Sequence, residues 1–268
     1  MEGENIKVAA FQFHGSGNIK NNLLSIERGI KEAAKQNVRL LITQECALCG
    51  YPPVEVDSVN SIDFDLIHES ISKIKQIAID NNMYIALGTV QCNQNNYFNS
   101  IEIITPSNEE LPSYNKRALW GWDARNFIPG DSLGVYGIDG FKIGIRICFE
   151  VRFPEYFREL FKEDVSLCCV SFCDVGDEKQ FAYKYEMIKS HLITRAVENA
   201  MYIISVNSIS KDQLAPTCLI NPDGTILQSA PKDEEYLLSF VLKKGPSNFG
   251  RDGRIKHSKE LLKIASSD

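Results

Sequence analysis

Three polar residues stand where a folded chain would hold a reactive side chain. Glu45 closes the apolar run VRLLITQE, and Cys148 closes the run FKIGIRIC just before a predicted helix. Lys116 lies in YNKRALWGWDARNFIPGD, whose aromatic density predicts a packed loop. A carboxylate at the end of a buried strand rarely serves only to fill the core, because burying an unpaired charge is costly. A strand-to-helix junction is also the position from which the nucleophiles of α/β hydrolases project.

These residue types together suit acyl transfer. A thiol near a helix N-terminus and an ammonium group has its thiolate stabilised, and a nearby carboxylate can take the thiol proton as general base. Glu45, Lys116 and Cys148 therefore form a candidate nucleophilic site. The residues alone leave a second interpretation open, in which Cys148 is a small buried hydrophobe.

The elements that must position these residues alternate between strands and helices. Apolar spacing predicts helices at 22–35, 64–81, 153–162 and about 179–199, and an irregular stretch at 106–140. The predicted strands are VAAFQF (8–13), VRLLITQE (38–45), MYIALGTV (83–90), FNSIEIIT (98–105), FKIGIRIC (141–148), VSLCCVSF (165–172), MYIISVNS (201–208), PTCLINPD (216–223) and YLLSFVL (236–242).

This order predicts an α/β fold with mixed sheets, because hairpin strands stand beside helix-linked strands. The two halves repeat the same order of elements, which predicts a two-sheet sandwich with helices outside. No linker divides the chain, so we expect a single domain over 1–268, with a core at about 6–242 and a polar C-terminal extension at 243–268. The extension is rich in Lys and Arg, and we predict a solvated tail.

Composition narrows the possible partners. Acidic residues outnumber basic ones 35 to 29, which argues against nucleic acid and favours a small-molecule partner. The apolar runs fall short of the ~18 residues of a membrane span, and no leader is recognised, so we expect a cytoplasmic protein without membrane contact. The eight cysteines are expected to be reduced. Cys46 and Cys49 have metal-ligand spacing, but no second pair follows, so we predict no metal site.

Several motifs resemble those of the nitrilase superfamily of carbon-nitrogen hydrolases. GIRICFEVRFPE (144–155) is similar to the nucleophile signature of that family. The other matching segments follow in family order and are ITQECALCGYPP (42–53), YNKRAL (114–119), FIPGD (127–131), TRAVENAMYIISVN (194–207) and LINPDG (219–224). The resemblance spans about 6–242.

The resemblance implies an α-β-β-α sandwich, a Glu45-Lys116-Cys148 triad without metal or organic cofactor, and a homodimer or higher homo-oligomer. Most members carry a second Glu seven residues before the Gly of the Pro-Gly motif, and Asp123 holds that place here. Ala118 replaces a usual His, and Ala215-Pro216-Thr217 replaces a Gly-x-Ser segment. These departures leave the substrate open.

The predicted reaction is hydrolysis of a non-peptide C–N bond through a Cys148 thioester, releasing ammonia or an amine. Glu45 serves as general base, while Lys116 and the backbone N–H of Phe149 stabilise the oxyanion. Asp123 positions Lys116 or the hydrolytic water. Substrates considered are carboxamides, ω-amides of dicarboxylic acids and N-carbamoyl compounds, with nitriles less favoured. Acyl transfer to an amine and a non-catalytic binding protein remain alternatives.

Residues near these motifs are candidates for lining a substrate pocket, and ordinary core packing is the alternative for each of them. The candidates are Tyr51, Trp120, Trp122, Phe149 and Cys173.

Two charged pairs are interpreted as structural. Glu150 and Arg152 could bind substrate, but their spacing favours a buried ion pair that fixes the turn around Cys148. Arg195 and Glu198 lie three residues apart on a predicted helix and are expected to pair.

Overall fold

Two stacked β-sheets form the centre of the molecule. The computed structural model describes residues 5–107, 109–176, 178–209, 213–243 and 249–264, and within them each sheet has six strands. The strands are β1 (Asn5–Gln12), β2 (Leu40–Thr43), β3 (Tyr84–Asn93), β4 (Asn96–Ile104), β5 (Tyr114–Asn115), β6 (Val135–Ile138), β7 (Phe141–Ile147), β8 (Leu167–Phe172), β9 (Tyr202–Asn207), β10 (Cys218–Ile220), β11 (Ile226–Ser229) and β12 (Tyr236–Lys243).

Both sheets are mixed. The first has the order β12-β1-β2-β3-β4-β5, with β1, β2 and β3 parallel and the other pairs antiparallel. The second has the order β11-β10-β9-β8-β7-β6, with β7, β8 and β9 parallel. The carboxyl ends of parallel strands lie at one edge of a sheet, which is where polar side chains can gather.

Helices cover the outer faces of the two sheets. The α-helices of the described residues are α1 (Ile19–Lys35), α2 (Phe64–Asp80), α3 (Asp123–Asn126), α4 (Pro154–Lys162), α5 (Glu178–Asn199) and α6 (Phe249–Leu262). The apolar residues of α1 and α2 pack on the first sheet, and those of α4 and α5 pack on the second.

Strand alternation divides the core into three layers. In β1, Val8 and Ala10 face the second sheet, whereas Ala9 and Phe11 face the helices. In β8, Leu167 and Cys169 likewise face the first sheet. The predicted α-β-β-α sandwich with two mixed sheets is therefore confirmed.

Two regions contain more structure than their sequence predicts. The stretch 106–140, expected to be irregular, contains β5, α3 and β6. The C-terminal extension, expected to be a solvated tail, contains α6, which contacts the rest of the fold. Arg254 Nη2 donates to the Pro222 carbonyl at 3.0 Å, and Lys259 Nζ lies 3.5 Å from an Asp164 carboxylate oxygen. Among the described residues, no helix is both long and apolar enough to cross a membrane.

Candidate active site

The candidate triad gathers at one end of the two sheets. Glu45 lies two residues after β2, Lys116 directly follows β5, and Cys148 directly follows β7. The Glu45 N–H donates to the Phe172 carbonyl at 3.3 Å, which ties the end of the first sheet to β8 of the second. The Lys116 N–H donates to the Asn99 carbonyl at 2.8 Å, so β4 fixes the lysine backbone. Three short segments thus converge from both sheets.

Lys116 stands between two carboxylates. Its Nζ lies 2.7 Å from Glu45 Oε1 and 2.7 Å from Asp123 Oδ2. All three side chains are at most 1% exposed. A buried ammonium is stable only when opposite charges and hydrogen bonds replace water, and these two carboxylates do so.

Neutral donors complete the coordination of both carboxylates. Asn99 Nδ2 donates to Glu45 Oε1 at 2.7 Å, and the Cys173 N–H donates to Glu45 Oε2 at 2.9 Å. The Tyr51 hydroxyl donates to Asp123 Oδ1 at 2.6 Å. Tyr51 thus belongs to the charged network as well as to the cavity wall. The role of Asn99 was not predicted, although an Asn inside the strand run FNSIEIIT is the signal that indicates it.

The nucleophile candidate sits on a tight turn. Cys148 has a φ of 43° and begins a 3-10 helix that spans Cys148–Arg152. Backbone in this left-handed region is uncommon for a residue with a side chain and is often found at functional sites. Glu150 secures the turn, because its Oε2 accepts from the Ile147 N–H at 2.7 Å.

The predicted ion pair between Glu150 and Arg152 is wrong. Glu150 Oε1 accepts from the Tyr114 hydroxyl and the Arg117 N–H, each at 2.7 Å. The Arg152 guanidinium lies instead over the Phe149 ring, 5.4 Å from its centroid. The carboxylate fixes the turn as expected, but through backbone and hydroxyl donors that sequence spacing does not identify.

The second predicted pair is confirmed and supports the same turn. Arg195 Nη1 lies 2.8 Å from Glu198 Oε1. Arg195 also donates from Nε to the Val151 carbonyl at 3.1 Å and from Nη2 to the Arg152 carbonyl at 3.2 Å. Helix α5 therefore fixes the backbone that follows Cys148.

Burial and charge set the protonation states of the triad. Burial raises the pKa of the Glu45 carboxyl, and the Lys116 ammonium only partly offsets this effect. Burial lowers the pKa of Lys116, but the charges of Glu45, Cys148 and Asp123 outweigh it and hold the pKa well above its ordinary value. Burial, followed by the charge of Glu45, raises the pKa of the Cys148 thiol. A neutral thiol beside a basic carboxylate is the arrangement that general-base activation requires.

A cavity of about 230 Å³ opens onto Cys148. Its described lining residues are Tyr51, Val54, Lys116, Trp120, Cys148, Phe149, Arg152, Cys173, Asp174, Val175, Lys184 and Ile188. Tyr51, Trp120, Phe149 and Cys173 are the predicted residues among them. Lys184 Nζ lies 2.5 Å from Asp174 Oδ1, and this charged pair was not predicted because its partners are joined only by the fold.

Trp122 does not line this cavity, so its assignment to the pocket is wrong. Its ring packs edge-on against Phe127, with the centroids 5.8 Å apart, and it contacts the outer core of the first sheet. Trp122 is the N-cap residue of α3, whereas Trp120 lies before that helix. The two tryptophans therefore belong to different local structures although they are two positions apart. Among the described residues, no group of three or more His, Cys, Asp or Glu side chains is placed to hold a metal ion.

A family model described as carbon-nitrogen hydrolase matches residues 7–242. The chain belongs to this family. Membership in the carbon-nitrogen hydrolase family makes the protein a hydrolase that acts on C–N bonds. The match begins in β1 and ends in β12, so it includes both sheets and Glu45, Lys116, Asp123 and Cys148.

Curated relatives within this group share about a quarter of their residues with this carbon-nitrogen hydrolase. A nitrilase of Pyrococcus abyssi is 25% identical, and the match covers 80% of each chain. An omega-amidase of Mus musculus is 22% identical, covering 89% of each. A 2-oxoglutaramate amidase of Bacillus subtilis is 24% identical, covering 82% of each.

A solved structure has the same fold. An amidase of the nitrilase superfamily from Nesterenkonia superposes with a TM-score of 0.81 at 21% identity, covering 98% of this chain and 97% of that one.

Proposed function

We propose that this carbon-nitrogen hydrolase cleaves a small carboxamide through a thioester on Cys148. The observation that carries this proposal is that Lys116 and Cys148 line one cavity, with the Lys116 ammonium bonded to the buried carboxylates of both Glu45 and Asp123. A thiol, a base and a fixed cation are the groups that acyl transfer needs. A Nesterenkonia amidase variant adds support, since its structure shows covalent addition of the acetamide moiety of fluoroacetamide at its active-site cysteine.

The acylation step uses groups of this chain alone. Cys148 Sγ attacks the amide carbon while its proton passes to Glu45. Negative charge develops on the carbonyl oxygen, where the Lys116 ammonium and the Phe149 N–H stabilise it. The C–N bond then breaks, and Glu45 returns the proton to the departing nitrogen, which leaves as ammonia.

Deacylation repeats the same proton transfers with water. Glu45 takes a proton from the attacking water, whose oxygen bonds to the thioester carbon. The C–S bond breaks, the carboxylic acid leaves, and the proton returns to the Cys148 sulfur. Asp123 keeps the Lys116 ammonium charged and oriented in both steps, because it contacts Nζ directly.

Among the substrate classes considered, the cavity favours an amide that also carries a carboxylate. Its volume is below the ~300–1,000 Å³ of pockets for drug-sized ligands, so the substrate is small. Lys116 and Lys184 are already paired with carboxylates, whereas the Arg152 guanidinium stacks on Phe149 and has no carboxylate partner among the described residues. A substrate carboxylate can pair with Arg152 while its amide reaches Cys148. The omega-amidase and 2-oxoglutaramate amidase named among the relatives agree with this class.

Ammonia release across a panel of compounds tests this function. The panel contains a neutral aliphatic amide, an ω-amide bearing a carboxylate, a ureido acid and a nitrile. We expect the ω-amide to be turned over best and Cys148→Ala to release no ammonia. Product analysis must show the free acid, since an acylated amine indicates acyl transfer instead. A wild-type enzyme that is inactive on all four compounds would overturn the proposed function.

The substrate class has a separate test at Arg152. We expect Arg152→Ala to raise KM for the ω-amide by about tenfold or more, as for a lost charge-assisted hydrogen bond, while KM for the neutral amide changes little. Arg28→Ala is the matched control, because Arg28 forms an exposed ion pair with Glu235. An equal rise in KM for both amides contradicts carboxylate recognition by Arg152.

A further inference from the structure

A second thiol lies on the same cavity wall as the nucleophile. All eight cysteines are within the described residues, and Cys148 and Cys173 are the two that line the cavity. Cys148 is partly exposed, and Cys173 is 6% exposed. The proposed hydrolysis uses the backbone N–H of Cys173 but not its thiol.

Strand register places the two cysteines within reach of each other. Strands β7 and β8 are parallel neighbours, with Ile147 opposite Ser171. The last paired residues, Ile147 and Ser171, belong to strands about 4.8 Å apart, which is inside the ~4.4–6.8 Å range of Cα separations in disulfides. Cys148 directly follows β7 and Cys173 directly follows β8, so each thiol lies within two residues of that pair. Both thiols also line the same cavity.

Each of these thiols has a carboxylate nearby that can accept its proton. Glu45 serves Cys148, as in hydrolysis. Glu55 lies beside Cys173, and burial raises the pKa of its carboxyl, which makes it a better base than an exposed Glu. Glu55 is held in place by the Tyr51 N–H at 2.8 Å and the Ser208 hydroxyl at 3.0 Å.

We propose that Cys148 and Cys173 form a reversible disulfide when the enzyme meets a hydroperoxide. The Cys148 sulfur takes one oxygen from the peroxide, giving a sulfenic acid and releasing the alcohol, or water if the oxidant is hydrogen peroxide. Cys173 Sγ then attacks the Cys148 sulfur, its proton passes by way of Glu55 to the departing hydroxide, and water leaves. Two thiols are oxidised by two electrons, and the peroxide is reduced by two.

This reaction protects the nucleophile. A sulfenic acid without a nearby thiol proceeds to sulfinic and sulfonic acids, which thiol reductants do not reverse. The disulfide stops that sequence and blocks catalysis until it is reduced. Inactivation by the disulfide rests on the proposed function, because only a nucleophilic Cys148 makes the bond inhibitory.

Peptide mapping after peroxide treatment tests the disulfide independently of activity. Trypsin places Cys148 alone in residues 147–152 and Cys173 in residues 163–179, whereas Cys46 and Cys49 fall in residues 40–73. Treatment of the full chain with hydrogen peroxide should cross-link residues 147–152 to residues 163–179, with fragment ions that place the bond at Cys173 rather than Cys168 or Cys169. Dithiothreitol should remove the cross-link and restore activity.

Two substitutions at Cys173 and one control complete the experiment. Cys173→Ser and Cys173→Ala should each gain two or three oxygen atoms at Cys148 and lose activity that dithiothreitol does not restore, each measured against its own untreated sample. Cys92→Ser should behave as wild type, because Cys92 does not line the cavity. Reversible loss in the Cys173 variants, or a wild-type cross-link to another cysteine, would overturn the disulfide. A correct cross-link in a protein inactive on every amide would instead contradict only the proposed function.

Discussion

Asp123 contacts Lys116 directly, with Oδ2 lying 2.7 Å from Nζ in a buried setting. An Asp carboxylate reaches about 1.5 Å less far from the backbone than the Glu that most nitrilase-like chains carry at this place. Helix α3 begins at Asp123, and bonds to the Trp120 carbonyl and the Phe127 N–H hold the Asp123 backbone. From this backbone the shorter side chain reaches Lys116 directly.

Asp123→Asn is expected to lower kcat/KM by an order of magnitude or more, because the neutral amide neither holds the ammonium charge nor fixes its direction. Asp123→Glu should not raise activity, since the loop already fits the shorter side chain. Steady-state kinetics on the best substrate of the amide panel measures both. An Asn variant with wild-type kcat/KM contradicts this role.

Tyr51→Phe should reduce kcat by about ten- to a hundredfold while the fold stays intact. The hydroxyl donates to Asp123 Oδ1 at 2.6 Å, and losing one hydrogen bond to a charged group costs about 1.5–3 kcal/mol. Tyr97→Phe is the matched control, because the Tyr97 hydroxyl bonds Asn60 at the surface. Equal kcat values for the two variants would show that the Tyr51 hydroxyl does not position Asp123.

The pH profile of kcat/KM should have an acid limb above the ordinary Glu pKa of 4.5. Burial raises the pKa of Glu45, and a general base must be deprotonated, so activity rises with pH through that raised pKa. Lys116 must stay protonated, and because its pKa is raised, it should cause no loss of activity below its ordinary value of 10.5. An acid limb below 4.5 contradicts the assigned base.

Glu150→Gln should destabilise the protein by about 1–3 kcal/mol, the cost of leaving buried donors unsatisfied. Glu150 accepts hydrogen bonds at 2.7 Å from two backbone N–H groups and one hydroxyl, and both of its carboxylate oxygens are used. In the Gln variant the NH₂ group replaces one of these oxygens and therefore faces a donor. Chemical denaturation measures the change in unfolding free energy, with exposed Glu155→Gln as the control. Indistinguishable unfolding curves for the two variants would show that Glu150 does not hold the turn.

Local patterns predicted the elements well where apolar spacing was long and regular. The helix predicted at 64–81 is observed at Phe64–Asp80. Strand β6 was missed because its four residues include Gly137 and follow Gly134, which leaves too few side chains to show alternation. The pairing of β12 with β1 joins residues more than 220 positions apart, and no local pattern contains that information.

The site also contains residues that the sequence identifies and contacts that it does not. Motif order identified Glu45, Lys116, Cys148 and Asp123, which the fold brings together. The partners of Glu150 and the contact of Asp174 with Lys184 depend on how loops pack across the sheets, so spacing along the chain could not reveal them. Trp122 was misassigned because residue type alone does not distinguish a cavity wall from a core.

Trapping the acylated enzyme tests the central claim most directly. The full chain is mixed with a slowly hydrolysed amide, quenched in acid and digested with trypsin, which leaves Cys148 as the one cysteine in residues 147–152. We expect that peptide to gain the mass of the acyl group, and the Cys148→Ala protein to gain none. Ammonia release by wild type with no adduct on residues 147–152, or with the adduct on the peptide of Cys46 and Cys49, would contradict catalysis by Cys148.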